Sequence, residues 1–125
     1  MVILHVLNTG SFSGAENVVI SIINEFQKRN IENIELIYVS LEGSIRKRLE
    51  KEKIKYEPIK KMSVGEIKRV IKKYNPDIIH AHDFTASIIC AVSAQKIPVI
   101  SHIHNNCPWL KKICLKTLAY GMTCF

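Results

Sequence analysis

The run Val2-Ile-Leu-His-Val-Leu7 sets the fold of this 125-residue chain. It is short and almost wholly apolar, and it ends at the turn-forming residues Asn8-Thr9-Gly10. An apolar run of this length without polar alternation is typical of a strand that is buried on both faces. Such strands occur in parallel sheets that helices cover on both sides, so the first seven residues already indicate an α/β protein.

The alternation of strand and helix continues along the rest of the chain. Further strands are predicted at 34–41, 55–59, 78–82 and 98–104, and helices at 15–29, 43–53, 63–74, 85–95 and 107–120. Five strands alternating with helices imply right-handed βαβ units and one doubly wound, Rossmann-like parallel sheet with the order 3-2-1-4-5. Because ligands bind such sheets outside the carboxyl ends of the strands, we expect function in the loops after strands 1, 4 and 5.

Composition excludes several classes of protein. Hydrophobic residues make up 47% and charged residues 23%, which is ordinary for a globular domain. The longest apolar stretch, 84–94, is too short to span a membrane, and the N-terminus lacks the basic region of a signal peptide. We therefore expect a cytoplasmic protein in which the four cysteines are reduced, namely Cys90, Cys107, Cys114 and Cys124.

The net charge of +7 is concentrated in one place, residues 46–73, which we call the basic segment. It holds twelve of the eighteen Lys and Arg residues against four Glu, a net charge of +8. We expect its two helices and short edge strand on one side of the sheet, where they would attract an anionic surface; a merely solvated surface is the alternative. Tyr56 is a lone aromatic inside the segment before Tyr74, so we expect no nucleic-acid partner.

Two groups of polar residues follow the predicted strands. Ser13-Gly14-Ala15-Glu16 opens the first helix, where free backbone N–H groups can bind phosphate, although a plain strand-to-helix turn has the same pattern. Four histidines end strands 4 and 5: His80, His82, His102 and His104. Imidazoles gathered at a cleft are candidates for acid–base work. His5 lies on the buried first strand, where we expect it to act through stability.

A metal site is the alternative interpretation of the histidines. These four imidazoles, together with Asp83 and Cys107, are the types of ligand that zinc or iron takes. Asp83 directly follows His82, however, and the cysteines lack zinc-finger spacing. We therefore expect no metal, and the hypothesis of a metal-dependent hydrolase is less favoured than a metal-free role for the histidines.

Four motifs in register carry a family resemblance. They are Val2-Ile-Leu-His-Val-Leu7, Ser13-Gly-Ala-Glu16, Pro76-Asp-Ile-Ile-His-Ala-His82 and Ile97-Pro-Val-Ile-Ser-His-Ile-His104. The chain resembles the N-terminal domain of family 4 retaining glycosyltransferases, which have the two-domain GT-B fold. It departs from the family at Ser13-Gly14, where two glycines are usual. A non-catalytic Rossmann-like or flavodoxin-like binding module remains the alternative.

The resemblance implies an activity and a division of labour. The N-terminal domain binds mostly the acceptor, and a C-terminal domain holds the nucleotide-sugar donor. Residues 1–125 would then be one incomplete N-terminal domain that lacks the donor domain and is inactive alone. The reaction implied is transfer of a hexose-type sugar to a glycan or lipid-linked acceptor in cell-surface polysaccharide synthesis, without a cofactor.

The resemblance also implies roles for individual residues. His104 would lie beside the reacting sugar as the catalytic residue. The remaining substrate-binding residues would be Ser13, Gly14, Ala15, Glu16, His82, Asp83 and Asn105. Of these, the loop 13–16 would reach either the donor phosphate or the acceptor, and His82 would line the acceptor side. Similar enzymes dock on anionic membranes through basic N-terminal helices, which implies a peripheral location on the inner membrane face for this basic segment.

Overall fold

The computed structural model describes residues 1–104 and 114–123. Within them, five parallel strands form one sheet in the order β3-β2-β1-β4-β5, which confirms the predicted fold class and strand order. The strands are β1 (Val2–Val6), β2 (Glu35–Leu41), β3 (Tyr56–Ile59), β4 (Ile78–Ala81) and β5 (Val99–Ser101). The central strand β1 pairs with β2 on one side and β4 on the other.

Five helices lie within the described residues. They are α1 (Gly14–Lys28), α2 (Ile45–Lys51), α3 (Val64–Tyr74), α4 (Phe84–Ser93) and α5 (Leu115–Thr123). Strands β4 and β5 end earlier than predicted, at Ala81 and Ser101, so the last residues of both predicted strands belong to loops. The predicted start of the fifth helix at Cys107 lies outside the described residues.

The helices form one layer on each face of the sheet. Apolar side chains of α1 and α2 pack on one face, with Val19 and Leu49 fully buried there. Those of α3 and α4 pack on the other face, with Val70 and Cys90 buried. The sides differ because the chain reverses direction after β3, and a right-handed crossover in the reverse direction places its helix on the opposite face.

This arrangement corrects the prediction for the basic segment. Its helix α2 lies on one face of the sheet and its helix α3 on the other, with the edge strand β3 between them. The segment therefore wraps around an edge of the sheet, whereas we expected both helices on one side.

The loops after β1 and β2 touch through two glycines. A Cβ atom on Gly10 would lie 2.5 Å from the carbonyl oxygen of Leu41, and one on Gly43 would meet the carbonyl of Gly10. The same carbonyl of Gly10 accepts a hydrogen bond from the backbone N–H of Ile45, 3.0 Å away. Neither position therefore has room for a side chain. The hydrogen bond between Gly10 and Ile45 fixes the loop that leads into α1 against the start of α2.

We predict that Gly43→Ala lowers the free energy of unfolding by roughly 1–3 kcal/mol, the usual cost of forcing atoms into a packed site. The matched control is Gly65→Ala in α3, where a Cβ would have no neighbour within 4 Å. That change should be neutral or stabilising, since alanine is the better helix former. Denaturant unfolding of both variants measures the difference, and equal stability of the two would contradict the described approach of the loops.

Candidate functional site

A cleft of about 300 Å³ opens at the carboxyl ends of β1 and β4. It is lined by Leu7, Asn8, Thr9, Ser13, Ala15, Glu16, His82, Asp83, Phe84, Thr85, Ile103 and His104. Six of the predicted site residues are among these, so the structure brings them to one place. Gly14 begins α1 beside the cleft without lining it, and Asn105 lies outside the described residues.

The loop after β1 is organised around the carboxylate of Glu16. This side chain is 3% exposed and accepts hydrogen bonds from the Thr9 hydroxyl at 2.7 Å and the Ser13 backbone N–H at 3.0 Å. The Ser13 hydroxyl also donates to it. Burial by itself would raise the pKa of Glu16, but these hydrogen bonds outweigh burial and lower the pKa. Glu16 is therefore a buried anion at neutral pH, in the first turn of the helix.

Asp83 connects the loops after β1 and β4. Its Oδ1 accepts from the backbone N–H of Ala86 at 2.8 Å, which caps the N-terminus of α4. Its Oδ2 accepts from the backbone N–H of Asn8 at 2.9 Å. Sequence reasoning assigned Asp83 to substrate binding, and the structure shows that both of its oxygens already hold backbone groups.

All five histidines of the chain form one histidine cluster, comprising His5, His80, His82, His102 and His104. Neighbouring ring centroids lie 4.0–5.5 Å apart. The backbone ladder positions the rings, since the N–H of His82 bonds to Val6 at 2.9 Å and the N–H of His102 to Ala81 at 2.8 Å. Four of these histidines were predicted to gather at this edge of the sheet.

His5 is the member that sequence reasoning did not place in the cluster. It pairs in register with His80 across β1 and β4, and its Nδ1 lies 2.9 Å from Nε2 of His82. The sequence did indicate that His5 lies near the other histidines, because the predicted strand order makes β1 and β4 neighbours. What the sequence did not supply was the register, which decides that the rings meet.

A family model for glycosyltransferase family 4 matches residues 12–121 of the chain. The chain belongs to glycosyltransferase family 4. The resemblance inferred from the four motifs is thereby confirmed, and a glycosyltransferase domain is favoured over the binding-module and hydrolase alternatives. A search of curated proteins found no match.

Two solved glycosyltransferases share the fold of this family 4 domain. HepE from Anabaena, solved in complex with UDP, has a TM-score of 0.74 and 19% identity; the match covers 98% of this chain and 35% of HepE. A glycosyltransferase from Rickettsia africae has a TM-score of 0.61 and 22% identity, with coverages of 89% and 32%. The chain thus spans about a third of the length of these two proteins. Among the described residues, no helix has both the length and the apolar character needed to cross a membrane.

Burial keeps four histidines of the cluster neutral, namely His5, His80, His82 and His104. Burial, with a smaller contribution from the neighbouring imidazoles, lowers the pKa of His5 to about 4 and that of His82 to about 2. Burial also lowers the pKa of His80 and of His104, with neighbouring histidines adding to the effect. At neutral pH these imidazoles therefore offer uncharged donors and lone pairs.

The cluster contains the ligand types that a transition metal takes. Two trios, His5-His80-His82 and His82-His102-His104, place their ligand atoms within 4.8 Å of one another. The shortest contacts, however, are 2.9 Å between His5 and His82 and 3.1 Å between His82 and His104. Two nitrogens on one tetrahedral zinc lie about 3.4 Å apart, given Zn–N bonds of about 2.05 Å. These two contacts therefore have the lengths of hydrogen bonds.

We predict that the domain loses stability on mild acidification. The unfolded chain binds protons at His5 and His82 near their ordinary pKa of 6.5, whereas the folded chain does not until far lower pH. Between pH 6.5 and about 4 the unfolded state thus holds more protons. The free energy of unfolding should fall with decreasing pH by up to about 1.4 kcal/mol per pH unit for each of the two residues.

Denaturant unfolding at several pH values between about 7 and 5 measures this slope. His5→Phe should have a shallower slope than the wild type, whatever its absolute stability, because one of the buried histidines that take up a proton on unfolding is gone. A free energy of unfolding that stays constant over this range would contradict the neutral, buried state of His5 and His82.

Proposed function

We propose that this family 4 domain is the acceptor-binding half of a retaining, GT-B-type glycosyltransferase. The reaction is transfer of a hexose-type sugar from a nucleotide-sugar to a glycan or lipid-linked acceptor, in cell-surface polysaccharide synthesis. The observation that carries the proposal is the cleft in which His104 and the buried carboxylate of Glu16 lie together. A second domain would supply the donor, so residues 1–125 alone are expected to transfer no sugar.

The charge of Glu16 indicates what the loop after β1 binds. Glu16 already places an anion at the start of α1 and takes the backbone N–H of Ser13. A phosphate at this helix end would meet like charge, whereas a sugar hydroxyl can donate to a carboxylate. We therefore assign the stretch 13–16 to hydroxyl groups of the acceptor, and this choice narrows the alternatives that the family resemblance left open.

His104 is the proposed catalytic residue. Its Nε2 contacts Nδ1 of His82 at 3.1 Å, which leaves Nδ1 of His104 as the nitrogen available to a ligand. Because its pKa is lowered, His104 is uncharged at neutral pH and acts as a hydrogen-bonding group rather than a cation. A donor there stabilises charge on the departing phosphate. We assign His82, Asp83 and Asn105 to the acceptor side. His82 and Asp83 line the cleft there, while their side-chain nitrogens and oxygens hold neighbouring imidazoles and backbone N–H groups. We also propose that no cofactor or metal takes part.

We predict that His104→Ala in the whole enzyme lowers kcat by on the order of 10²-fold, the usual effect of losing one catalytic hydrogen bond. His104→Gln is the informative partner variant, because its amide can replace Nε2 toward His82 but offers nothing in place of Nδ1. It should therefore lose activity while keeping the fold. Near-normal turnover in a well-folded His104→Ala enzyme would remove His104 from the site.

We further propose that the basic segment docks on an anionic membrane surface at the inner membrane face. Several of its charges are used within the domain: Arg46 pairs with Glu42, and Arg69 and Lys73 pair with Glu57. Among the described residues, no ion pair involves the following exposed lysines: Lys47, Lys51, Lys60, Lys61, Lys68 and Lys72. Each basic side chain near such a surface adds about 1 kcal/mol of attraction.

Vesicle sedimentation tests this docking. We expect the domain to bind phosphatidylserine-containing vesicles at low salt, to dissociate at high salt and to ignore neutral vesicles. Reversing Lys60 and Lys61 to Glu should weaken binding more than reversing Lys28 and Lys96, which changes net charge equally outside the segment. Absent binding, or equal binding to both lipids, would leave the segment as a solubilising surface and would not touch the glycosyltransferase assignment.

A further inference from the structure

A chain of two hydrogen bonds runs from the core to the cleft through three histidines. Nδ1 of His5 lies 2.9 Å from Nε2 of His82, and Nδ1 of His82 lies 3.1 Å from Nε2 of His104. His5 and His82 are 3% and 1% exposed, whereas His104 is half-buried at the cleft. His82 thus uses both of its ring nitrogens on other imidazoles.

Counting protons shows that the two hydrogen bonds must have the same direction. A neutral imidazole carries one N–H and one bare nitrogen, so His82 donates to one neighbour and accepts from the other. The two hydrogen bonds must therefore point the same way along the chain. If His5 donates, then His82 donates to His104, and the proton of His104 is on Nδ1. If His104 donates from Nε2, every proton is reversed, and its Nδ1 is bare.

The two hydrogen bonds share one direction only while His82 is neutral, because a neutral imidazole has a single N–H to donate. A charged His82 could donate to both neighbours, and the link between His5 and His104 would be lost. Burial disfavours that state, as the lowered pKa of His82 indicates. Glu16 and Asp83 favour a charged His104, but burial and His102 outweigh them.

We propose that His5 is a positioning residue that sets the tautomer of His104 through His82. The choice between the two directions rests on the proposed function: a leaving phosphate accepts hydrogen bonds, so His104 must present N–H at Nδ1. His5 then donates from Nδ1 to His82, and His82 donates to His104. The role of His5 goes beyond the stability that a buried strand residue contributes.

Two-bond ¹H–¹⁵N spectra of the histidine-labelled chain test the proposal, because they distinguish Nδ1–H, Nε2–H and charged imidazoles. We expect His104 of the wild type in the Nδ1–H form at neutral pH. His5→Phe keeps a ring in place without the hydrogen bond and should return His104 to a mixture of tautomers. His5→Asn, whose amide can replace Nδ1, should preserve the wild-type spectrum of His104.

His80→Phe is the matched control. The ring of His80 packs tilted against those of His5 and His82, but no hydrogen bond to this ring is found among the described residues, so this change should leave the tautomer of His104 as it is. Since His5→Phe can fail to fold, the wild-type and His5→Asn spectra decide alone. An Nε2–H or mixed His104 in the wild type, or a His104 tautomer that changes in His5→Asn, overturns the proposal. An unchanged His104 in folded His5→Phe, or the same change in His80→Phe, overturns it as well.

Kinetics of the whole enzyme separate this inference from the proposed function. His5→Phe should lower kcat by on the order of 10-fold, less than loss of His104, with KM unchanged and with recovery in His5→Asn. If His104→Ala leaves transfer intact, the proposed function fails, whereas the spectra still decide the coupling. If the spectra show no coupling while His104→Ala is inactive, this inference alone is wrong.

Discussion

The parallel pairing of β1 with β4 is the interaction on which the site depends. In this pairing His5 lies opposite His80, and Val6 lies opposite Ala81. The next backbone hydrogen bond runs from the N–H of His82 to the carbonyl of Val6. One step further, the N–H of Asn8 reaches Asp83. The cleft begins where the two strands separate, at the point of the sheet where the helix layers change sides. A shift of one residue in this register would point the histidines to the opposite face.

The polar groups of the site are buried without being left unpaired. Burying polar side chains costs free energy unless they find partners, and here they find them in one another. The Glu16 carboxylate takes three donors from Thr9 and Ser13, and the inner histidines bond to each other. The outcome is a site with a fixed anion beside neutral imidazoles. That combination suits the orientation of hydroxyl groups better than the capture of a free phosphate.

Much of this arrangement could be predicted from the sequence. Apolar runs at regular spacing determine the parallel sheet, and the rule on right-handed crossovers then leaves few strand orders. The strand ends in turn bring the loop 13–16, His82 and His104 together. The ends of the strands were less predictable. The sequence predicts a strand that includes His82, yet β4 ends at Ala81. Strand ends depend on tertiary hydrogen bonds, which the local sequence does not determine.

Other features could not be read from residue types. The bond from His5 to His82 depends on register and ring orientation, which a single strand does not encode. Helices α2 and α3 have similar basic faces, and only the reversal after β3 places them on opposite sides. Asp83 has the sequence context of a ligand-binding residue, but its oxygens serve the backbone of two loops. Local pattern therefore predicts the candidate site, and long-range geometry decides which side chains meet in it.

A crystal structure of the whole enzyme with its nucleotide-sugar tests the central claim most directly. The claim is that the transferred sugar reacts beside the histidine cluster, at the carboxyl ends of β1 and β4. We expect Nδ1 of His104 within about 3.2 Å of an oxygen of the donor sugar or its phosphate, and Glu16 facing the acceptor space. A donor sugar bound away from this cleft, with His104 touching only protein, would contradict the account.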